Sequence, residues 1–351
     1  MYKYINQLLS LIYAIFIKIS WLKLYKLHDK NAKHIIWFYP CYPSKPLEYL
    51  GRSMIMHDLG LICALTQLNL PFKIHIGRNI GQYHNKIIHY CNSNEFMNPY
   101  GLTNYARFIA NLVKQLELQG NTLILSSDEV VFWENKAYMH NQFTLQNISQ
   151  PITDVHSLSD DSQYLQNRNY PCLVKEVHSC GGKGIYKVDS YQKLLHLFNI
   201  LKLEGHIQIL VQDLVNMRKD LRVIVLGNEI FLHYWRLNDT KEWKKTSTSH
   251  GSTVDFITFP EQWKSYFIEV TRLLGLRTAG YDITWENDDT TTMPIILEVS
   301  PTFQPNPPTP VRYKDIPYRD YKKKIFTKDA FYIGRVNTIF DLEYRKAKLF
   351  I

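Results

Sequence analysis

The alternation of short apolar runs in the first third of the chain constrains the fold most. Residues 34–39 (HIIWFY) form an apolar run that stops at a proline, residues 58–68 have helical spacing, and residues 72–76 alternate like a strand. A second helical stretch at residues 104–118 leads into another strand at residues 122–125. Strands and helices that alternate in this way predict an α/β unit with a largely parallel sheet.

The middle of the chain has a different pattern, in which strands follow one another with few helices between them. The predicted strands are residues 171–176, 185–188, 206–214, 220–226, 229–236, 280–285 and 294–299, and the predicted helices are residues 191–203 and 261–274. This order predicts an antiparallel α+β layout. The proline-dense stretch at residues 306–310 (NPPTP) marks its end, so we divide the chain into residues 1–30, 31–128, 129–310 and 311–351.

The net charge of +9 lies at the two ends of the 351-residue chain. The first 30 residues carry +4 and the last 41 carry +6, which leaves about −1 for the rest. A body without net positive charge gives little support to a nucleic-acid function. The five cysteines are scattered, with no CxxC pair, so we expect a reducing compartment and neither a disulfide framework nor a zinc ribbon.

The basic N-terminal segment has one wide apolar face at helical spacing. This face contains Ile5, Leu8, Leu9, Ile12, Ile15, Phe16, Ile19 and Leu22. Lys18 interrupts the apolar stretch before it reaches the roughly 20 residues that a spanning helix needs. Three readings stay open: a helix at a membrane surface, a helix packed on the protein's own body, and a true span. We expect a cytoplasmic protein, at the inner face of the membrane under the first reading. The basic C-terminal tail is expected to be a solvated helix that closes a cleft, or a second membrane contact.

Residues 179–184 (SCGGKG) form a glycine loop that carries a lysine and follows a predicted strand. Glycines let backbone N–H groups approach phosphates, and the lysine adds a positive charge. Taken alone, such a loop is more often an ordinary surface hairpin. The loop also differs from the GxxxxGK[ST] phosphate loop and does not open a helix after the first strand, so the two best-known nucleotide motifs are excluded.

A predicted hairpin brings two carboxylates together. Side chains at i and i+2 share one face of a strand, so Glu298 and Ser300 point the same way, and Asp282 lies on the strand that pairs with theirs. Carboxylates inside apolar strands suit Mg²⁺, although separate pairing with Arg or Lys explains them equally well. Three basic residues occupy positions in apolar strands: Lys175, Arg222 and Arg236. Such residues need anionic partners, which are either a triphosphate or acidic residues of the fold.

The order of these parts resembles the ATP-grasp superfamily, particularly its glutathione synthetase-like and ribosomal-protein glutamate ligase-like branch. The resemblance covers about residues 129–301. It is carried, in order, by WENKAYM, PCLVKE, SCGGKGIYKV, LVQDLV, DLRVIVLGNEIFLHYWR, LGLRTAGYDITW and IILEVSP. The sequence departs from the family pattern at Asp213, where the hinge has a glutamate, and at Ser300, where the third metal ligand is an asparagine.

The resemblance implies an ATP-grasp fold and a specific set of site residues. The fold would consist of an N-terminal parallel α/β domain (31–128) and an ATP-grasp domain (129–310) with a small lid (about 150–212) and an antiparallel C-terminal subdomain. The implied nucleotide contacts are Lys175, Lys183, Gly181, Gly182, Gly184, Gln212, Asp213, Leu214 and Asp220. Arg222 and Arg236 would be the catalytic residues. Asp282, Glu298 and Ser300 would hold Mg²⁺, with two ions expected and Mn²⁺ as a substitute.

The resemblance also implies ATP-dependent ligation of a carboxylate to an amine through an acyl phosphate. We expect a small-molecule or envelope-glycan carboxylate and an amine such as an amino acid as substrates, and no nucleic acid. Two alternatives stay open. One is a kinase of the same fold that phosphorylates a hydroxyl, and the other is a membrane-associated nucleotide-binding protein without catalysis.

Overall fold

The computed structural model describes residues 2–38, 54–77, 79–92, 102–238, 252–314 and 316–350. Their strands form three separate sheets, one parallel and two antiparallel. The predicted fold class, which combines a parallel α/β part with antiparallel α+β parts, is therefore confirmed.

The N-terminal sheet contains four parallel strands in the order β2-β1-β3-β4. These are β1 (His34–Phe38), β2 (Phe72–Ile76), β3 (Ile87–Tyr90) and β4 (Thr122–Ile124). Residue 39, the predicted end of β1, lies outside the described residues. The sequence pattern did not reveal β3, because its four residues are too few to show a periodicity.

The part of the chain described before β4 contains four α-helices and a π turn. The chain begins with α1 (Tyr2–Tyr13), a π turn (Ala14–Lys18) and α2 (Trp21–Leu27), which are followed by α3 (Ile55–Gln67) and α4 (Leu102–Leu118). Every residue of α3 from 55 to 66 is buried, since other elements cover it on all sides. No single helix among the described residues is long and apolar enough to cross a membrane. Residues 4–18 and 21–27 together have the length and composition of a membrane span, but the two helices are bent by 73° relative to each other.

The second sheet is small and antiparallel, in the order β5-β8-β6-β7. It contains β5 (Thr153–Ser157), β6 (Cys172–Glu176), β7 (Ile185–Val188) and β8 (Gln208–Asp213). The preceding chain forms α5 (Ser127–Val130) and α6 (Lys136–Leu145), and α7 (Tyr191–Leu203) covers the sheet through Leu194, Phe198 and Leu201. The strand β5 (TDVHS) was missed because its polar residues do not resemble a buried strand.

The third sheet has five antiparallel strands in the order β11-β10-β9-β12-β13. Its strands are β9 (Lys219–Leu226), β10 (Glu229–Leu237), β11 (Thr253–Asp255), β12 (Thr278–Thr284) and β13 (Ile295–Ser300). One apolar core joins this sheet to α6 through Met139 and Phe143, and to α8 (Lys264–Leu273) through Phe267 and Val270.

The C-terminal segment contains α9 (Tyr318–Tyr321) and α10 (Phe331–Lys348). The expectation that the tail is a solvated helix is wrong, because α10 contacts both α3 and α1 and buries Val336, Ile339 and Glu343. Glu343 is fully buried, where it accepts from His57 Nδ1 at 2.7 Å and pairs with Lys346 at 3.2 Å. The polar composition that suggested solvation thus serves a buried ion-pair network.

Candidate active site

A cavity of about 530 Å³ lies where the two antiparallel sheets and the residues after β13 meet. Twelve of the fourteen predicted site residues line it, and Lys183 and Gly184 do not. The sequence-derived residues therefore converge on one concave site, although they come from six different strands and the glycine loop.

Lys175 lies near the end of β6, and the residue is buried, with 8% of its surface exposed. Burial lowers the pKa of Lys175 to about 8, although the carboxylates of Glu298 and Asp282 oppose this effect. A buried ammonium that is only partly stabilised by protein carboxylates is well suited to a phosphate group.

The glycine loop at residues 179–184 reaches the cavity through its first half. Gly181, Gly182 and Gly184 have φ values of +62°, +74° and +61°, a region that favours glycine. A Cβ on Gly184 would lie 2.6 Å from the carboxyl carbon of Glu176, so glycine is needed here for close packing against Glu176 rather than for lining the cavity. Lys183 is exposed and does not line the cavity, and its backbone N–H donates to Cys180 O at 3.2 Å within the turn.

The end of β8 forms another wall of the cavity. Gln212 is buried, and its Nε2 donates to Thr153 Oγ1 at 2.8 Å. The Asp213 carboxylate, which is one methylene shorter than the glutamate of the family pattern, pairs with Arg168 Nε at 2.9 Å. Leu214 is the next residue in the cavity wall.

Two arginines and two aspartates alternate across β10, β9 and β12. Arg236 lies opposite Asp220 in the register, and Arg222 lies opposite Asp282. Asp282 Oδ1 accepts a hydrogen bond from Arg222 at 2.6 Å, and Asp282 Oδ2 lies 2.9 Å from the Arg236 guanidinium. Arg236 Nε also donates to Asp220 Oδ1 at 2.9 Å. Burial would raise the pKa of Asp282, but the two guanidinium groups hold it well below its usual range.

Glu298 lies directly opposite Asp282 in the β12–β13 register. A bulge follows this pair, and Leu297 is the extra residue, so it lines the cavity beside Glu298 instead of pointing away from it as strict alternation predicts. The Glu298 carboxylate is 3.9 Å from Lys136 Nζ, and more than a third of its surface is exposed.

These oxygen atoms fit a divalent cation such as Mg²⁺, which prefers hard oxygen ligands. Glu298 and Asp282 line the same cavity, and so does Glu134, which has a buried Oε2 without a hydrogen-bond partner. Ser300 is committed differently, because its hydroxyl donates to Thr302 O at 2.7 Å and accepts from Thr302 N at 3.3 Å.

Several residues of this site were not predicted from the sequence. Burial raises the pKa of Glu134 to about 7; Lys136 opposes this shift and Glu298 adds to it. Lys136 is buried and its Nζ donates to Ser179 O, which anchors the glycine loop from behind. The Asn-Lys pair within WENKAYM was the available signal, because Asn135 caps α6 and Lys136 is the first residue of that helix.

The end of the cavity near Arg236 also contains residues that the sequence analysis did not single out. Tyr234, Asn306 and Lys322 line it, and Asn306 Nδ2 donates to the Tyr234 hydroxyl at 2.9 Å. Burial lowers the pKa of Lys322, with Arg335 adding to the effect. Asn306 and Lys322 follow the recognisable strands, so only the tertiary structure could place them here.

The three sheets, with the cavity between the two antiparallel ones, have the architecture of the ATP-grasp fold. Residues 134–305 match the model of the RimK-like ATP-grasp domain family, and this part of the chain belongs to that family. The resemblance noted in the sequence is therefore confirmed.

Comparison with known proteins gives the same fold. The chain is 26% identical over 157 residues to a protein named probable alpha-L-glutamate ligase from Legionella pneumophila, covering 44% of this chain and 50% of that one. It is 25% identical over 164 residues to the tetrahydromethanopterin:alpha-L-glutamate ligase of Methanocaldococcus jannaschii, covering 45% and 54%. The chain thus spans about half the length of the curated relatives it matches. The solved D-alanine--D-alanine ligase of Bacillus anthracis superposes with a TM-score of 0.56 at 12% identity, covering 90% of this chain and 100% of the other, which is a likeness of fold.

Proposed function

We propose that this protein is an ATP-dependent ligase that joins a carboxylate to an amine. The observation that carries the proposal is the convergence of Lys175, Arg222 and Arg236 with the carboxylates of Asp282 and Glu298 in one cavity beside a glycine loop. The names of the relatives, which are glutamate ligases, support the same reaction class.

The proposed reaction has two steps. An oxygen of the substrate carboxylate attacks the γ-phosphorus of ATP, which forms an acyl phosphate and releases ADP. The amine then attacks the acyl carbon, inorganic phosphate leaves, and the amine loses a proton as the amide forms. Mg²⁺, held by Glu298 and Asp282 at one or two positions and replaceable by Mn²⁺, would neutralise charge on the phosphate oxygens.

The residues of the cavity divide the remaining work. Lys175 places a buried positive charge against the phosphates. Gly181 and Gly182 line the same cavity, so the backbone of the glycine loop can cover the phosphates there. Arg222 and Arg236 are held in place by Asp282 and Asp220, so their positions are set before substrate arrives. Closure of the glycine loop would exclude the water that hydrolyses acyl phosphates.

The substrate end of the cavity favours an acidic molecule. Arg236 and Lys322 supply positive charge there, and Tyr234 and Asn306 supply hydrogen-bonding groups. We infer that this end takes the carboxylate substrate, with an amino acid as the amine. A uronic acid of an envelope glycan is the more specific candidate, which the basic ends of the chain suggest.

The test measures ADP release by the full chain with Mg²⁺-ATP, pooled carboxylates that include uronic acids, and pooled amino acids. We expect release that requires both pools, an amide product, and a hydroxamate when hydroxylamine replaces the amine. Release with polyols alone and a stable phosphate ester would instead identify a kinase. Absence of release with every pair, together with tight nucleotide binding, would contradict catalysis.

A further inference from the structure

The helix α1 has the opposite orientation from an ordinary amphipathic helix at a water-exposed surface, because its polar side faces the protein. The polar residues Asn6, Gln7 and Ser10 of α1 are buried, although they are the residues that water would solvate best. Asn6 Nδ2 donates to Lys322 O at 2.7 Å, and Arg335 donates to Gln7 Oε1 at 2.9 Å. These bonds fix the polar side of α1 against the body of the protein.

The apolar side of the same segment faces outward. Its exposed residues, which we call the N-terminal apolar stripe, are Tyr4, Leu8, Ile12, Phe16, Ile17, Trp21, Leu22 and Tyr25. Their exposed fractions range from 45% to 81%. The first four recur at every fourth residue, so they form one row along α1 and the π turn that follows it. Apolar side chains in a continuous exposed row mark a surface that another apolar phase covers.

The charges around the stripe indicate what covers it. Residues 1–28 contain lysines and no acidic residue, and Lys23 and Lys26 are exposed on α2 among Trp21, Leu22 and Tyr25. Exposed lysines beside tryptophan and tyrosine are typical of segments that lie in the headgroup region of anionic bilayers. A second copy of the chain is a poorer occupant, because a two-fold interface would bring like-charged lysines together.

We propose that the N-terminal apolar stripe docks the protein on the surface of an anionic lipid bilayer. No single helix of this segment is long and apolar enough to cross a membrane, and residues 4–18 and 21–27 are bent by 73° to each other. The opposite side of α1 holds the backbone of Lys322, which lines the cavity, so docking brings that end of the cavity within about one helix diameter, roughly 10 Å, of the lipid surface.

The experiment is flotation of the full chain with phosphatidylcholine vesicles that contain either no phosphatidylglycerol or one part in three. We expect the protein to float with the anionic vesicles only. We also expect binding to fall severalfold in 0.5 M NaCl, because screening weakens the lysine contacts. The variant Leu8→Gln/Phe16→Gln/Leu22→Gln should bind at least tenfold more weakly.

A matched variant separates docking from general surface hydrophobicity. Leu118, Leu145 and Leu203 are 80%, 70% and 89% exposed elsewhere on the protein, and their triple change to Gln should leave flotation unchanged. The double variant Lys23→Gln/Lys26→Gln, which keeps the apolar stripe, should weaken binding roughly 30-fold, which corresponds to about 1 kcal/mol per lysine.

Three outcomes would overturn the proposal. The first is failure of the wild-type protein to float with anionic vesicles, and the second is equal loss in the stripe variant and its matched control. The third is a wild-type dimer in light scattering that the stripe variant abolishes, because a second copy would then occupy the surface. Nucleotide binding is measured separately, so failure here leaves the proposed ligase activity standing.

Discussion

The pKa of Lys175 makes nucleotide binding depend on pH in a range where few other groups titrate. Burial lowers this pKa to about 8 from the ordinary 10.5, so the side chain loses its charge in the free protein at moderately alkaline pH. A bound triphosphate stabilises the charged form and returns the pKa toward its ordinary value. ATP binding should therefore take up a proton and weaken as the pH rises.

The size of the effect follows from the two pKa values. About three-quarters of the Lys175 side chains are charged at pH 7.5 and about 3% at pH 9.5, so the affinity for Mg²⁺-ATP should fall roughly 20-fold over this range. Near pH 8.5, binding should take up about 0.75 proton. The second ionisation of a phosphate, near pH 6, is complete at these pH values and does not interfere.

Calorimetry in buffers of different ionisation enthalpy measures both quantities. The Lys175→Arg variant is the control, because its guanidinium stays charged throughout, and its affinity should change far less with pH. Lys322 also has a lowered pKa, so a small residual slope in the variant is expected. An affinity that stays constant from pH 7.5 to 9.5, with no proton uptake in the wild-type protein, would refute the reasoning.

Three further predictions concern buried polar contacts, two in the site and one between α10 and α3. Asp220→Asn should lower the free energy of unfolding by about 3 kcal/mol in urea denaturation, because it leaves a buried guanidinium with only Asp282; an unchanged unfolding midpoint would contradict this. Lys136→Met should increase hydrogen exchange at residues 179–184, because Ser179 O loses its donor, while exchange in α10 should not change. Glu343 has a pKa below its ordinary value because Lys346 and His57 outweigh the effect of burial. Its carboxylate therefore stabilises the fold above about pH 4.5, and the stability gap between wild type and Glu343→Gln should shrink as the pH falls below that value.

The strands and their order could be predicted because burial imposes a clear pattern on the sequence. The runs at residues 72–76 and 185–188 match β2 and β7 without any shift, and the predicted hairpin pairs Asp282 with Glu298. Short or polar strands such as β3 and β5 were missed, since their neighbours in the sheet stabilise them rather than their own composition.

The cavity could be predicted only where its residues lie on strands with a recognisable order. Lys322 reaches it from the C-terminal segment and carries no local signal, whereas Glu134 faces it from a loop within the recognised WENKAYM stretch, although nothing in that stretch marks Glu134 itself. The orientation of α1 could not be predicted either. The wide apolar face of α1 suggested that this face would be buried. Hydrogen bonds from Asn6 and Arg335 instead hold the polar side of the helix against the protein.

Direct titration of Mg²⁺-ATP into the wild-type protein and the Glu298→Gln variant tests the central claim, which is that the cavity is a metal-dependent ATP site. We expect magnesium-dependent binding by the wild type and its loss in the variant, with unchanged melting temperatures because Glu298 is partly exposed. Glu286→Gln, an exposed carboxylate in the turn of the same hairpin, serves as the control and should bind like the wild type. Equal binding by all three proteins, or no binding by the wild type, would contradict the assignment.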